Sequence, residues 1–444
     1  MLLLLLLASV ALIIFLTAKW KVHPFLALLC ASLCYALGSG MPLGAILTSI
    51  ETGFGGTLGK IGLVILLGVI IGAFLEHTGA AYKMANAVLR LIGPKKVHAA
   101  MALIGYVVSI PVFADSGFII LDPLNKSLTK RAKLSLAGTA VALMLGLMIT
   151  HVMVPPTPGP IAAAGILEAN IGLVMGLGLG IGSVGLLVGI AFAKHVAGST
   201  YIDPRPNVDD EEIAQKMAQA PSTFVSFLPI VVPIVLIVLK SVVNFVWRDI
   251  PEKNTLHVLI DFLGAPVIAL IIGTLFAFLL PKKFDRAMLS ESGWAGKALL
   301  SASSILLITG AGGIFGAILQ NSAIGDVLAN SLQGSTLGIA LPFLIAAALK
   351  TAQGSSTVAL ITAASIMAPM VGPMGLESDM DRALMVVAIG AGGLVISHAN
   401  DSAFWVLTQM TGMDVKTGYR LYTTGALLVG VCCALLVFLL SWLL

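Results

Sequence analysis

Apolar runs separated by short polar islands extend along the whole chain, from Leu2 to Leu444. A helix that crosses a bilayer needs about 20 predominantly apolar residues, and ten runs approach or exceed that length. The predicted spans are 2–18, 24–38, 61–75, 134–169, 171–193, 224–246, 258–280, 299–320, 384–410 and 421–444, of which the fourth and the ninth contain a polar break. This pattern predicts an all-α polytopic membrane protein.

Two further apolar segments, 97–124 and 337–371, are interrupted in the middle by small and polar residues. Four lysines and arginines precede the first segment and four follow it, which places both flanks on the cytoplasmic side. Its arms of about 14 and 8 residues are too short to span at roughly 1.5 Å per residue. We expect re-entrant hairpins, the second one lying between acidic flanks and entering from the opposite face. An ordinary span with a kink is the alternative for each.

Composition and charge agree with this topology. With 58% hydrophobic and 10% charged residues the chain has too little polar surface for a soluble protein of its size. The basic islands alternate so that both termini are predicted outside the cytoplasm. The first run is expected to be a retained helix because no basic region precedes it and no convincing cleavage site follows. The four cysteines fit neither a zinc site nor a disulfide framework.

Short matches between the two halves indicate an internal repeat. GAFL at 72–75, with Ala85 and Asn86 behind it, recurs as GAIL at 316–319 with Ala329 and Asn330, and ITH at 149–151 recurs as ISH at 396–398. Because each half contains five spans, the second half would be inverted relative to the first. The predicted organisation is a first repeat at 1–193, a cytoplasmic connector at 194–222 and a second repeat at 223–444.

Four polar breaks, at 113–117, 150–160, 350–357 and 397–402, mark the candidate site. Irregular backbone at membrane depth survives only where protein or a water-filled cavity satisfies it, so we expect all four breaks to meet near the midplane. Each precedes a helix restart with a good N-cap residue: Asp115 or Ser116, Thr157, Ser355 or Ser356, and Asp401 or Ser402. Helix N-termini that point into one cavity favour an anion.

Four titratable residues are candidates for proton coupling, namely Asp115, Asp401, His151 and His398. A buried carboxyl beside an anionic substrate favours proton uptake, and histidine titrates near neutral pH. Each aspartate could instead be a plain N-cap, and each histidine could be structural. Lys350 could attract a carboxylate or extend toward the outer face.

The predicted substrate-binding residues come from the same breaks and offer a carboxylate, imidazoles and neutral hydrogen-bonding groups. They are Asp115, Ser116, Gly117, His151, Thr157, Gly159, Gln353, Gly354, Ser355, Ser356, Thr357, His398, Asn400, Asp401 and Ser402. No metal site and no cofactor is predicted. Asp122, two helical turns beyond Asp115, could pair with Lys126.

The chain resembles the gluconate permease (gluconate:proton symporter) family of the ion transporter superfamily. The resemblance rests on HPFL at 23–26, GFGGTLG at 53–59, VPPTPGP at 154–160, GSSTVA at 354–359 and SHANDSAFW at 397–405. It implies uptake of sugar acids with protons across a bacterial inner membrane. It also implies a homodimer in which an elevator domain carries both hairpins. Family members often have His at the position of Thr157, and gluconate carriers tend to have Glu near Asp115. Glycerate is therefore an alternative to gluconate.

The sequence thus favours a secondary active symporter for a small hydroxy-carboxylate and protons. Sodium coupling is an alternative, because hairpin tips rich in Ser and Thr could coordinate Na⁺. An intramembrane enzyme using the aspartates or the histidines, or a passive anion channel, is a remote alternative. The expected partners are the bilayer and a second copy of the chain, and no nucleic acid is expected.

Overall fold

A computed structural model describes residues 2–93, 96–204, 218, 220–246, 255–322, 324, 327, 338–398 and 401–443. These residues form helices joined by turns and contain no β-strand, which confirms the all-α prediction. The principal helices are α1 (Leu2–Ile14), α2 (Pro24–Gly38), α3 (Leu43–His77), α4 (Ala80–Ile92), α5 (Val97–Val108), α6 (Ala114–Arg131), α7 (Leu136–Met153), α8 (Pro158–Ile166), α9 (Ile171–His195), α10 (Thr223–Val246), α11 (Thr255–Leu263), α12 (Pro266–Ala277), α13 (Trp294–Gln320), α14 (Ala340–Gln353), α15 (Ser356–Met367), α16 (Asp379–Leu394), α17 (Ser402–Thr411) and α18 (Val415–Leu443).

Several of these helices are long and apolar enough to cross a membrane, as expected for a polytopic protein. Within the described ranges five stretches qualify, and two bent pairs, 43–77 and 255–277, raise the number to seven. The qualifying stretches are Leu136–Ile166, Ile171–Ser199, Thr223–Lys240, Arg286–Gln320 and Val415–Leu443. Of the other predicted spans, α1 and α2 are apolar helices of 13 and 15 residues, and 384–410 is divided between α16 and α17. The number ten stays a prediction.

Helix α3 has 35 residues and begins at Leu43, before the third predicted span, 61–75, and it bends by 43° between Lys60 and Gly62, where that span is predicted to start. The glycine-rich stretch before residue 61 forms its first part. In the structure it packs against α13, the neighbour with which α3 makes its most extensive contact. A Cβ atom on Gly53 would lie 2.6 Å from the backbone oxygen of Gly313. Glycine here allows two helix backbones to approach closely, as small residues do in membrane helix pairs.

Two helix pairs correspond to the predicted hairpins. In the first pair, α5 ends at Val108 and α6 begins at Ala114; in the second, α14 ends at Gln353 and α15 begins at Ser356. Helices α5, α14 and α15 have 12, 14 and 12 residues, or about 18 to 21 Å at 1.5 Å per residue, which is less than the roughly 30 Å of a hydrocarbon core. That each pair returns to the membrane face it left stays a prediction.

The first pair also differs from its prediction at one end. Helix α6 has 18 residues and continues to Arg131, past the predicted limit of the hairpin at residue 124. Its second half is polar and carries Asp122 and Lys126, which pair with each other inside the protein. The predicted limit was placed where the run of apolar residues ends. Such a limit misses the rest of a helix when its polar side chains are buried in the protein.

The two broken helices form the centre of the fold and position the site. Helix α7 packs against α5, and α16 packs against α14. Every residue of α7 except His151 is buried. The chain then breaks at Val154–Thr157 before α8, while α16 ends at Leu394 and α17 begins at Ser402. A helix that is apolar on all sides belongs in a core, and its one partly exposed polar residue marks the side that faces a cavity.

The elements follow the same order in both halves: a long helix, a helix pair, a broken helix and a closing helix. These are α3, α5/α6, α7/α8 and α9 in the first half, and α13, α14/α15, α16/α17 and α18 in the second. The predicted match at Ala329 and Asn330, and residues 205–217 of the predicted connector, lie outside the described residues.

Candidate functional site

A cavity of about 320 Å³ lies where three helices begin. The starts of α6, α15 and α17 line it, together with one face of α7. It brings together eight of the predicted site residues: Asp115, His151, Gly354, Ser355, Ser356, Thr357, Asp401 and Ser402. Residues that are far apart in the sequence thus share one concave and largely polar surface.

Capping explains why two of the three helices start where they do. Ser355 is the N-cap of α15, and its Oγ accepts a hydrogen bond from the Val358 N–H at 3.3 Å. Asp401 is the N-cap of α17, and its Oδ1 accepts from the Ala403 N–H at 3.1 Å. Gly354 has a φ of +85°, a conformation that glycine adopts at little cost. The sharp turn at Gly354 lets α15 restart inside the protein.

The first helix pair does not follow the predicted capping. The N-cap of α6 is Phe113, which makes no side-chain cap, and Asp115 is the second residue of the helix. The predictions that Asp115 or Ser116 is the N-cap, and that Asp115 is held by backbone N–H groups as a cap, are therefore wrong. The carboxylate of Asp115 faces the cavity instead, where Ser402 Oγ donates a hydrogen bond to Oδ2 at 2.6 Å.

Asp401 has a buried cationic partner. Lys350 Nζ lies 2.6 Å from Asp401 Oδ2, and both residues are buried. Lys350 also donates to the backbone oxygen of Gly354, and Ser397 Oγ donates to the same Asp401 oxygen. These bonds join the end of α14 to the start of α17. They also neutralise the one lysine of this region that sequence reasoning offered as a partner for a substrate carboxylate.

Asp115, in contrast, has no lysine or arginine within ion-pair distance in the part of the chain that the structure describes. Its neighbour Ser402 is a neutral donor. The cavity therefore holds one acid that is balanced by a buried base and one that is not. The two aspartates that look equivalent in the sequence have different surroundings.

The two histidines are also placed differently. His151 lines the cavity, its ring lies 5.9 Å from that of Phe113, and its buried Nδ1 has no hydrogen-bond partner among the described residues. His398 does not line the cavity; its Nε2 lies 2.7 Å from the Thr351 backbone oxygen, and its ring stacks on Tyr419. The structure therefore does not bring the two imidazoles together on one surface.

The remaining predicted residues lie around this cavity without lining it. Thr157 is the buried N-cap residue of α8, and its Oγ1 donates to the Val154 oxygen at 2.6 Å. Gly159 and Gly117 are packing positions, where an added Cβ would meet Leu360 at 3.1 Å or Leu147 at 2.7 Å. The start of α8 thus packs behind the cavity, and the predicted break at 150–160 reaches the cavity through His151, so each of the four predicted breaks contributes at least one lining residue.

Three other candidates fall elsewhere. Ser116 lines a neighbouring cavity of about 270 Å³, which also contains Glu76 and Lys297. Asn400 lies outside the described residues, and the structure describes the backbone of Gln353 without its side chain. A direct role for these three residues stays a prediction.

Sequence reasoning missed four cavity residues, namely Phe113, Ala114, Met148 and Ala403. Met148 lies on α7 one turn before His151, and only its helical spacing from that histidine could have indicated it. Phe113 lines both the main cavity and the neighbouring one. As an aromatic residue directly before a polar break it had a weak signal, since it looked like the last residue of an apolar run.

Comparison with known proteins places this arrangement in context. The chain matches the model of the GntP family permeases over residues 1–443. It is 40% identical over 93% of its length to a permease of Haemophilus influenzae, of which 86% is covered. It is 32% identical to a gluconate permease of Pseudomonas aeruginosa, with 97% of this chain and 95% of that protein covered. It is 33% identical to the D-serine transporter of Escherichia coli, at 98% and 97% coverage.

The fold is similar to that of a solved transporter. Neisseria gonorrhoeae MtrF, described as illuminating a class of antimetabolite efflux pumps, superposes with a TM-score of 0.64 at 16% sequence identity. The comparison covers 89% of this chain and 83% of MtrF. At that identity the similarity concerns the fold alone.

Proposed function

The chain belongs to the GntP family of permeases. We propose that it is a proton-coupled symporter that carries a small hydroxy-carboxylate into a bacterial cell. Transport of a small molecule across a membrane follows from the family. The substrate class and the coupling ion are inferred from the cavity. The observation that carries the proposal is the meeting of three helix starts and one acid without a cationic partner in a single cavity.

The start of α15 offers the best site for a substrate carboxylate. Gly354, Ser355 and Ser356 line the cavity there, and the first N–H groups of a helix have no acceptor within the helix. Those N–H groups and the helix dipole favour an anion by about 0.3 to 1 kcal/mol, and by up to about 2 kcal/mol where the site is partly buried. Lys350 is not needed as a counter-ion, since it is already paired with Asp401.

Hydroxyl groups around the same cavity suit a hydroxylated substrate. Ser356, Thr357 and Ser402 line it, and each hydroxyl can both donate and accept a hydrogen bond. Gluconate and D-serine, which name two relatives, share a carboxylate and at least one hydroxyl. Because the two relatives are almost equally similar to this chain, identity does not select between their substrates.

Proton coupling follows from the position of Asp115. An ionised Asp115 would repel an anion that binds at the start of α15, whereas the protonated acid would not and could donate a hydrogen bond to a substrate oxygen. Asp401 is a weaker candidate because its carboxylate is already engaged in an ion pair with the buried Lys350 ammonium. Anion and proton would then enter the cavity together.

The moving parts are proposed from the order of the elements. The two halves would form an inverted repeat, and the two helix pairs with the broken helices would move as one elevator body against the α3 and α13 framework in a homodimer. The inner membrane is the expected location, with both termini on the periplasmic side. The repeated element order supports this organisation.

Uptake into proteoliposomes tests the coupling. Purified protein is reconstituted, and uptake of radiolabelled gluconate, glycerate, idonate, fructuronate or D-serine is followed with and without an inward-directed proton gradient. We expect at least one of these acids to accumulate, and only when the gradient is present. If accumulation depends on sodium and ignores the proton gradient, the sodium-coupled alternative is correct. Sodium-free, potassium-buffered medium separates the two.

The variant Asp115→Asn tests the role of the acid. We expect it to retain substrate exchange between two loaded compartments, because the neutral amide still fills the site, and to lose proton-driven accumulation. Equal loss of both activities would make Asp115 a binding or folding residue. Asp414→Asn is the matched control, because Asp414 is exposed and caps the start of α18 outside the cavity, a task that Asn performs as well as Asp.

A further inference from the structure

Helix α6 carries a second acid, Asp122, nearer its C-terminal end than Asp115; the N-terminal end of this helix is called the upper end and the C-terminal end the lower end. Asp122 is 2% exposed, and its Oδ2 lies 2.8 Å from the Nζ of Lys126, which is 5% exposed. The other carboxylate oxygen of Asp122 and the Nδ2 of Asn125 are buried without a hydrogen-bond partner among the described residues. A buried polar atom left unpaired costs about 1 to 3 kcal/mol. An ion pair that only stabilised the helix would not explain why these two atoms are kept there.

The spacing places the two acids on one face of the helix. Asp115 and Asp122 are seven residues apart, which is almost two full turns and roughly 10 Å along the axis. Lys126 follows one turn later on the same face. The face therefore carries an acid at the substrate cavity, a buried acid in the middle and a buried base at its lower end.

Helix α17 lies beside α6 along this face and connects the two ends. At the upper end Ser402 donates its hydrogen bond to Asp115. At the lower end Gln409 and Thr411 line, together with Lys126, a second cavity of about 360 Å³. The buried pair of Asp122 and Lys126 thus lies between two cavities that the same two helices border.

We propose that this face of α6 carries the coupled proton from Asp115 to the lower cavity, with Asp122 as the relay. The inference rests on the proposed proton coupling and adds a route to it. The lower cavity includes Asp203 and Pro204 from the start of the connector, which is predicted to be cytoplasmic. A proton that reaches this cavity has therefore left the substrate site on the side where the substrate is released.

The transfer balances with water as the only carrier. Asp115 loses its proton and becomes a carboxylate, and about three water molecules with hydrogen bonds near 2.8 Å would be needed over the roughly 10 Å to Asp122. The buried side chain of Phe118 lies between the two acids on this face, so the proposed transfer requires Phe118 to turn aside and admit this water. The unpaired Oδ1 of Asp122 accepts the proton and releases it to water of the lower cavity, so that Asp122 ends as it began. Lys126 remains beside Asp122 as its ion-pair partner between transfers.

Other charges do not compete for this role. Helices α4, α5, α7 and α17 pack against α6, yet Lys126 is the charged group that acts on Asp122 among the described residues. The Nδ2 of Asn125, one turn away, is positioned to hold a water molecule against Asp122 Oδ1, because residues three apart on a helix are neighbours. Such a water would satisfy both buried atoms.

The test compares proton-driven uptake with exchange in one double variant, Asp122→Asn with Lys126→Gln. Removing both charges avoids leaving either one buried alone, which would destabilise the protein. Proteoliposomes that contain a pH-sensitive dye report proton influx. We expect the double variant to exchange substrate at a rate within about twofold of the wild type. Its proton influx and net substrate uptake should be at least about tenfold slower, since a positioned acid or base typically contributes 100-fold or more to a proton transfer. Lys130→Gln, an exposed position on the same helix, should behave as wild type.

The single variant Asp122→Glu keeps a carboxyl group and should retain proton influx. Proton-driven uptake at the wild-type rate in the double variant would overturn the relay. Loss of exchange as well as uptake, in both the double variant and Asp122→Glu, would also overturn it and make the pair structural. If wild-type uptake itself does not respond to the proton gradient, the proposed coupling fails before the relay is tested.

Discussion

Separating Lys350 from Asp401 should destabilise the protein more than removing both. The Lys350 ammonium is fully buried and its Nζ lies 2.6 Å from the Asp401 carboxylate. In Lys350→Met the carboxylate keeps hydrogen bonds from Ser397 and Ala403 but loses its cation. Breaking one side of a buried ion pair costs about 3 to 5 kcal/mol. We expect that loss for Lys350→Met and again for Asp401→Asn.

The double variant should cost less than either single one, since no charge is left alone and both replacements have nearly the same volume. Unfolding in mixed micelles by titration with sodium dodecyl sulfate gives the three free energies, with Lys283→Met, an exposed lysine, as the control. Single variants that each cost less than about 1 kcal/mol, or that simply add in the double variant, would refute the argument.

The same three proteins also test where the substrate carboxylate binds. If the start of α15 holds it, the double variant should bind substrate with an affinity close to that of the wild type. If Lys350 is the counter-ion, Lys350→Met should abolish binding, and Asp401→Asn should not rescue it. Isothermal titration calorimetry on the folded fraction distinguishes the two outcomes.

Two further predictions concern the framework. Gly53→Ala should destabilise the protein by about 1 to 3 kcal/mol, because the added Cβ would lie 2.6 Å from the Gly313 backbone oxygen. Gly55→Ala is the control and should not destabilise it, because no atom lies within 4 Å of the Cβ there. Equal yields and stabilities of the two variants would contradict this prediction. The Lys60 Nζ lies 2.6 Å from Glu168 Oε1 and holds the pKa of Glu168 below its ordinary value of 4.5. The ion pair therefore stabilises the fold above pH 4.5, and this contribution is lost as the pH falls through the lowered pKa. With side chains 57% and 61% exposed the pair contributes at most about 0.5 kcal/mol. The stability difference between the wild type and Glu168→Gln should therefore disappear as the pH falls through that lowered pKa.

Local chemistry made several features of the site predictable. The caps at Thr157, Ser355 and Asp401 follow from residue type and position, and all three begin helices in the structure. The exception is α6, whose N-cap is Phe113. A capping preference of about 1 kcal/mol is small enough for tertiary packing to override, and here the chain keeps Asp115 available to the cavity instead.

Contacts between distant segments could not be predicted. Lys350 and Asp401 are 51 residues apart, and nothing local to either residue shows that they pair. From the sequence, Lys350 could therefore be assigned only to a substrate carboxylate or to the outer face, and both aspartates remained candidates for the proton. Similarly, Gly53 and Gly313 have a purpose only at the helix crossing that they share. Spacing along one chain carries no direct information about which faces meet.

The pairing of both buried lysines has a consequence for the energetics of transport. Since Lys350 is balanced by Asp401 and Lys126 by Asp122, neither pair would add net charge to the body that we propose to move. The empty carrier would then cross with the single negative charge of Asp115, and the loaded carrier with the single negative charge of its substrate beside a neutral Asp115. With the proposed coupling, a cycle that carries one proton per monovalent anion would be electroneutral. Membrane voltage would add nothing to accumulation, and each unit of pH difference would support about a tenfold concentration of the substrate.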